Sequence, residues 1–219
     1  MKWSLLKRSY VWIYFSMFFL LWTIRELWLV HYLNLLDPSV CAVVATLIKL
    51  LVWVIPVILL IKLIENKNTI RYLRLDQNVR KGITWACWVS FILAVYFIIY
   101  YVLILNNGIQ LDLGLNGWLN TIILVGFIEE VVFRGFLLRK LMDQFRFWTA
   151  NSITSILFVS IHFPIWFYNG LFGDIAIIGT IFNVFVISII LGLLYRNTNS
   201  LWSVIIIHSV YNLFLSIFT

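Results

Sequence analysis

Long apolar runs, separated by short polar connections, follow one another along the chain. Each run has about 20 residues, which is the length an α-helix needs to cross the hydrocarbon core of a bilayer. The pattern gives seven such runs, at residues 10–30, 40–61, 83–105, 118–138, 148–167, 175–195 and 201–218. We therefore predict an all-α fold, a polytopic membrane bundle of about seven transmembrane helices.

The connections between the runs differ in charge. Of the 16 Lys and Arg residues, 13 fall in the N-terminal segment and in the second, fourth and sixth connections. The other connections contain only Asp37, Asp112 and Asp174 as charged residues. Because Lys and Arg collect in cytoplasmic connections, this alternation predicts a cytoplasmic N-terminus.

The composition agrees with a membrane protein. Hydrophobic residues make up 63% of the 219 residues and charged residues 11%, whereas a soluble domain is about half apolar and about a quarter charged. This composition excludes a soluble globular enzyme, a disordered tail and a nucleic-acid binder. We therefore attribute the net charge of +7 to Lys and Arg residues that fix the orientation of the chain in the membrane. We expect one multi-pass domain in the cell membrane, with a three-span region over residues 1–117 and the chemistry over residues 118–219.

Charged side chains inside the fourth run are the first sign of chemistry, because a charge at membrane depth costs at least about 2.5–3.5 kcal/mol. Glu129 lies roughly 13 Å from the cytoplasmic end of this run, near the midplane. Glu130 and Arg134 are four residues apart and share a helix face, so we expect a supporting ion pair. Glu129 points to another neighbour and stays available. A purely structural ion pair beside a protonated Glu129 is the competing interpretation.

Three further charges lie within the first two runs. Arg25 and Glu26 are near the outer end of the first run, and we expect their side chains to reach the interface. Lys49 lies deeper, in the second run, and we expect it to face the bundle or a partner such as Glu26.

Histidines in two later runs extend the pattern. His162 follows Phe158 by four residues and precedes Pro164, which ends or kinks the helix just past the histidine. His208 and Asn212 are also four apart and share a face. A single histidine in a span is more often a packed residue than a catalyst. Three helices that each offer a titratable group, however, indicate one shared polar site.

Glutamate, histidine and asparagine side chains suit the addition of water to an amide. A desolvated Glu129 can accept a proton from water as a general base. Asn212 and the histidines can donate hydrogen bonds to the oxyanion that develops on the carbonyl. Glu129, His162 and His208 would also fit a catalytic zinc site, although the soluble His-Glu-x-x-His signature is absent. Serine and aspartyl mechanisms find no matching motif in the chain.

Three motifs in this order resemble the CPBP family of CAAX prenyl endopeptidases and bacteriocin-processing membrane proteases, also called Abi-type proteins. The motifs are Glu129-Glu130-x-x-x-Arg134, Phe158-x-x-x-His162 and His208-x-x-x-Asn212, on three separate apolar runs. Each motif alone is weak, but the three together are fairly specific. The resemblance covers residues 118–219, and the first half of the chain carries no matching motif.

The resemblance implies an all-α intramembrane endopeptidase whose conical cavity opens toward the cytosol and the membrane. It implies that Glu129 activates the water and that His162 assists or helps to hold a metal. It also implies that His208 and Asn212 polarise the substrate carbonyl. The substrate would be a membrane-associated peptide such as a bacteriocin or pheromone precursor.

The resemblance also implies supporting roles and bears on the cofactor. Arg134 with Glu130 would support the first motif, and Phe158 would pack beside His162. The family includes members described as metalloproteases and members described as metal-free glutamate enzymes. We expect no cofactor, with zinc held by the same glutamate and two histidines as the alternative.

Two other functions compete with proteolysis. The chain could be a non-catalytic immunity or scaffold protein that keeps the fold and binds a partner. It could also be a small transporter that uses Glu129 and the histidines as a proton relay. Seven spans without visible inverted repeats disfavour the transporter. The expected partners are membrane lipid and a peptide or membrane-protein substrate, with no nucleic acid.

Overall fold

A computed structural model describes the backbone of residues 2–218 and the side chains of residues 10–218, so the side chains of the N-terminal Lys and Arg residues lie outside the described residues. Every regular element of the described chain is a helix. In chain order these are α1 (residues 2–33), α2 (Pro38–Leu63), α3 (Thr69–Tyr72), α4 (Val79–Ile104), α5 (residues 114–142), α6 (Phe147–Ser160), α7 (Phe163–Tyr168), α8 (Ala176–Thr198) and α9 (Leu201–Ile217). The all-α prediction is confirmed.

Most of the predicted runs form helices that can cross a membrane. Within the described residues, five helical segments are long and apolar enough: Tyr10–Leu33, Pro38–Leu63, Val79–Ile104, Phe147–Tyr168 and Ala176–Thr198. The other two predicted runs are also helical. α9 is apolar but shorter, and α5 is long but carries Glu129, Glu130 and Arg134 in its interior. The protein is therefore a polytopic helical membrane bundle.

α5 lies at the centre of the bundle. All eight residues of its π-helical segment Val131–Leu138 are buried, so no face of this segment is left for lipid. The ring of Phe133 packs edge-on against Phe158 of α6, with 4.9 Å between centroids, and against Trp53 of α2, with 6.3 Å. A helix enclosed in this way can hold charged side chains at membrane depth, because protein groups rather than lipid surround them.

A glycine sets the close approach of α5 and α9. A Cβ atom on Gly126 would overlap the side chain of Ser209 and press on the backbone at Ile205. Gly126 therefore lets the two helices pack backbone to backbone one turn before the paired glutamates. This contact brings α9, with His208, against the functional face of α5.

Pro164 interrupts the fifth predicted run, as expected. α6 ends at Ser160, and α7 begins at Phe163 with Pro164 in its first turn, where a missing N–H costs nothing. The backbone N–H of His162 turns back to the carbonyl of Val159, so the carbonyl of Phe158 loses its usual helical partner. The break leaves His162 at the corner between the two helices.

The connection between α2 and α4 packs against the bundle. Tyr72 and Leu73 are buried, and α3 is only one turn long. The indole N–H of Trp202 donates to the carbonyl of Leu75 at 2.8 Å, and the backbone N–H of Leu201 donates to the carbonyl of Arg74. The basic connection therefore closes the end of the bundle at which α9 begins.

Candidate active site

A cavity of about 1120 Å³ opens between α4, α5, α6, α7, α8 and α9. It is lined by five of the residues that the sequence singles out: Glu129, Phe158, His162, His208 and Asn212. Side chains from three motif-bearing segments therefore converge on one space, as predicted. Glu130 and Arg134 are not part of the lining and lie fully buried behind it.

The Glu130–Arg134 pair forms the closed side of the site. Nη1 of Arg134 donates to Oε1 of Glu130 at 2.7 Å, and Nη2 donates to the carbonyl and hydroxyl oxygens of Ser188 on α8 at 3.0 and 2.8 Å. The guanidinium also lies over the ring of Phe158, 4.8 Å from its centroid. The predicted in-helix ion pair is thus present, and it joins α5 to α6 and α8.

His208 sits between the two glutamates. Its Nδ1 is 2.7 Å from Oε1 of Glu130, and its Nε2 is 3.8 Å from Oε2 of Glu129. Because a carboxylate accepts the bond at Nδ1, that nitrogen carries the proton, and Nε2 is left to face Glu129. Glu130 therefore sets the orientation and tautomer of an imidazole that reaches the cavity.

Glu129 faces the cavity with no cation on its own helix bonded to it. The residue is 8% exposed, in contrast to 0% for its neighbour Glu130. Among the side chains of residues 10–218, its ion-pair contact is the 3.8 Å approach of His208, which is longer than a hydrogen bond. A carboxylate in this position can accept a hydrogen bond from a water molecule in the cavity.

The break between α6 and α7 orients His162. Its Nδ1 donates to the carbonyl of Phe158, the one freed by the turn, at 2.9 Å, which leaves Nε2 unbonded. The ring of Phe158 lies between the two imidazoles, 5.1 Å from that of His162 and 5.9 Å from that of His208. Phe158 thus packs against both histidines, whereas the sequence placed it beside one.

Asn212 lies one turn beyond His208 on the same face of α9. Its Nδ2 donates one hydrogen to the backbone carbonyl of Thr121 on α5 at 3.0 Å. An amide nitrogen has two hydrogens, so one donor remains for a ligand in the cavity. The contact fixes the amide plane relative to Glu129, because Thr121 and Glu129 belong to the same helix.

Charged residues of the first two helices lie closer to the site than the sequence suggests. Glu26 is 4% exposed and pairs with Arg25 at 2.7 Å, so the prediction that it reaches the interface is wrong. Its carboxylate interacts electrostatically with Lys49 and His162. The bundle folds this part of α1 against α7, which sequence reasoning cannot see because the contact is between distant segments.

Asn120 lines the cavity, which the sequence motifs did not indicate, and it contacts Lys49, which the sequence placed facing the bundle. Nζ of Lys49 donates to the backbone carbonyl of Asn120 at 2.9 Å, and the charge of Lys49 interacts with that of Glu129. The side chain of Asn120 donates to the carbonyl of Ala42 and accepts from Thr46, so α2 and α5 are tied together. The sequence signal for this contact is the presence of a lysine and an asparagine inside two apolar runs.

The residues present do not form a ready metal site. Among residues 10–218, no group of three His, Cys, Asp or Glu side chains is placed to hold a metal ion. Nδ1 of His162 and Nδ1 of His208 are both bonded to protein oxygens, and Nε2 of His208 is directed at Glu129. The Nε2 atoms of both histidines stay available for a ligand, so the alternative zinc set of Glu129, His162 and His208 is not pre-assembled among the described side chains but stays a prediction.

Comparison with known proteins bears on the same part of the chain. Residues 110–214 match the family model described as type II CAAX prenyl endopeptidase Rce1-like. Neither a curated protein nor a solved structure matches the chain. The matched segment begins just before α5 and ends within α9, so it contains all three motifs. Over this segment, which is just under half of the chain, the protein is similar to the Rce1-like family, and this match supports the resemblance to the CPBP intramembrane proteases.

Proposed function

We propose that this protein is an intramembrane endopeptidase that hydrolyses a peptide bond by glutamate-activated water. The observation that carries the proposal is the convergence of Glu129, His162, His208 and Asn212 on one cavity inside the bundle. The match to an endopeptidase family over the same segment supports it. The cavity is large enough to admit an extended peptide segment together with a water molecule.

Glu129 and His162 provide the groups that activate water. The carboxylate of Glu129 accepts a proton from the water molecule, and the oxygen of that water adds to the carbonyl carbon of the scissile bond. Nε2 of His162 is free to accept a hydrogen bond from the second O–H of the water, which keeps that hydrogen, because Nδ1–H is held by the carbonyl of Phe158. The two residues together orient the oxygen lone pair toward the substrate.

His208 and Asn212 provide the donors for the oxyanion. The free hydrogen on Nδ2 of Asn212 can bond to the oxygen as its charge develops, and Nε2 of His208 can do so when the imidazole carries a proton on each nitrogen. The carboxylate of Glu130 lies 2.7 Å from Nδ1 and holds the imidazole in position for this contact. The proton held by Glu129 then passes to the departing nitrogen, the carbon–nitrogen bond breaks, and the carboxyl product forms.

The substrate that fits this site is a membrane-associated peptide. The cavity lies within the apolar bundle, and its walls combine the polar groups named above with aromatic side chains such as Tyr96, Phe97 and Tyr100. A peptide that already resides in the cell membrane, such as a bacteriocin or pheromone precursor, would reach it without leaving the bilayer. No cofactor takes part in the proposed steps.

The test is peptide cleavage by the purified full chain in lipid nanodiscs. We expect mass spectrometry of a membrane-peptide library to show internal cleavage by the native chain. Glu129→Gln and His162→Ala should each abolish it. Asp112→Asn, which removes an exposed acidic group, is the matched control and should cleave normally. A chelator should leave the rate unchanged.

Two outcomes would contradict the proposal. In the first, the Glu129→Gln and His162→Ala proteins insert normally, and cells that carry either variant keep the phenotype of cells with the native protein. The protein then acts as a non-catalytic immunity or scaffold factor. If a chelator removes cleavage and added zinc restores it, the water is activated by a metal rather than by Glu129 alone.

A further inference from the structure

The cavity lies toward one end of the bundle, and this is visible first in α4 and α5. Arg80 and Lys81 begin α4, whereas its cavity-lining residues lie in the segment 96–101, about 25–30 Å along the helix. α5 runs the other way and ends in the basic residues Arg139 and Lys140. Its lining residues lie in the segment 120–129, at least about 15 Å before them.

The other helices around the cavity show the same polarity. Arg146 precedes α6, and the lining begins only at Phe158, near the break. α8 lines the cavity over the segment 176–187 and carries Arg196 in its last turn. α9 starts beside Arg74 and lines the cavity only from His208 onward. In each of these five helices the lining is on the half of the helix away from the basic residues.

Contacts between helix ends show that these two ends are two separate faces of the molecule. At the basic face, Nζ of Lys81 donates to the carbonyl of Asn197, and the Arg139 guanidinium donates to the carbonyl of Tyr72. At the opposite face, the backbone N–H of Gln110 donates to the carbonyl of Ile217. The connection between α4 and α5 and the end of α9 therefore meet at the cavity's end of the bundle.

We propose that the cavity opens on the outer side of the membrane, so that its substrate is a peptide presented from the outer half of the bilayer. Basic connections are retained in the cytoplasm, and the cavity lies on the face opposite to them. A cytoplasmic N-terminus and a cytoplasmic opening, both expected from the sequence, cannot hold together in this fold. The inference about the substrate rests on the proposed function, whereas the inference about the direction of the opening does not.

The wall formed by α8 offers a way to test the direction directly. Gly179 lines the cavity and is exposed, and a Cβ atom built on it meets no other atom within 4 Å. Thr180, its neighbour in the lining, is also exposed. A cysteine at either position can therefore be introduced without crowding the fold and can be reached by a reagent in the cavity.

The experiment is cysteine labelling in intact cells with a membrane-impermeant maleimide, in a background of Cys41→Ala and Cys87→Ala. Gly108→Cys reports the face with the α4–α5 connection, and Asp76→Cys reports the basic face; both positions are exposed. We expect Gly179→Cys, Thr180→Cys and Gly108→Cys to react in intact cells. Asp76→Cys should react only after permeabilisation.

The proposal is overturned if Gly179→Cys and Thr180→Cys react only after permeabilisation, together with Asp76→Cys. Reaction of Asp76→Cys in intact cells, with Gly108→Cys protected, would also overturn it, because the basic face would then be external. Labelling needs no peptide cleavage, so a failure here is distinct from a failure of the protease proposal. A protease with a cytoplasmic opening and an external basic face would still cleave peptides. In intact cells, however, its Asp76→Cys variant would react and its Gly108→Cys variant would be protected.

Discussion

Two adjacent glutamates in α5 occupy opposite environments. Glu130 is fully buried, and one of its oxygens accepts from both Arg134 and His208 at 2.7 Å. Glu129 faces a cavity of about 1120 Å³, and its closest charged partner is 3.8 Å away. Consecutive residues on a helix differ by about 100° in direction, so one step along the chain separates a packed ion pair from an open site.

The comparison shows that residue type does not assign the role of a carboxylate. Glu130 is neutralised by neighbours on two helices and orients the imidazole that reaches the cavity. Glu129 has no such neutralising bond and is accessible to water. The buried Glu130 and its partners therefore support the geometry around Glu129. Substitutions of the buried pair and of Glu129 should have different effects.

The largest expected effect is on stability, from Arg134→Met. Removing the guanidinium leaves the carboxylate of Glu130 buried without its main partner, which should lower the free energy of unfolding by about 3–5 kcal/mol. Chemical denaturation of the purified protein in mild detergent measures this. Glu129→Gln should cost less than Arg134→Met, because it breaks no close ion pair, and the exposed-site control Lys62→Met should change stability by no more than about 0.5 kcal/mol. Equal destabilisation by Arg134→Met and Glu129→Gln would refute the contrast between the two environments.

The next effect is on turnover, from Asn212→Asp. The substitution keeps the shape but replaces the amide donor with an acceptor, so kcat should fall by about 10²–10³-fold. Peptide cleavage assays measure the split between kcat and KM. Ser216→Ala, which removes a hydroxyl bonded to the carbonyl of Asn212, is the control and should retain most activity. A change in KM alone would show that Asn212 binds substrate without stabilising the oxyanion.

A smaller effect is expected from Lys49→Met, which tests whether the N-terminal region supports the side of α5 that carries Glu129 and faces the cavity. The substitution removes the hydrogen bond to the carbonyl of Asn120 and the cation that interacts with Glu129. We expect a loss of kcat of about 10-fold, since a hydrogen bond from a charged group contributes about 1.5–3 kcal/mol. Lys49→Arg should recover part of the activity. If Met and Arg behave alike, the charge at this position does not influence the site.

The smallest effect is expected from Glu65→Gln, far from both glutamates. Burial alone would raise the pKa of Glu65, but hydrogen bonds from Tyr10 and Lys140 outweigh burial and hold the pKa below its ordinary value. Such a group stabilises the fold above its ordinary pKa of about 4.5, and the gain is lost as the pH falls through the lowered pKa.

Unfolding measured from pH 7 down to pH 3 checks this difference. The native chain should lose about 1 kcal/mol more than Glu65→Gln over this range. An identical acid dependence in the two proteins would show that the Glu65 carboxylate contributes no pH-dependent stability.

Sequence reasoning succeeded where the signal is local. The apolar runs gave the helices, the spacing of Glu130 and Arg134 gave the ion pair, and Pro164 gave the break in the fifth run. It failed for Glu26, which is buried rather than exposed, because that outcome depends on α1 packing against α7. The convergence of three motifs was predicted from their chemistry, and the fold supplied the distances.

The chain's local chemistry thus accounts for its helices, its membrane setting and the residue types at the site, because helix period, hydropathy and span length act over neighbouring residues. Contacts between distant segments account for the rest. The bonds that Arg134 donates to Ser188 and Asn212 donates to Thr121, and the position of the cavity, depend on how five helices are placed around α5. No pattern along a single helix specifies that placement, since each of these contacts joins residues that are far apart in the chain.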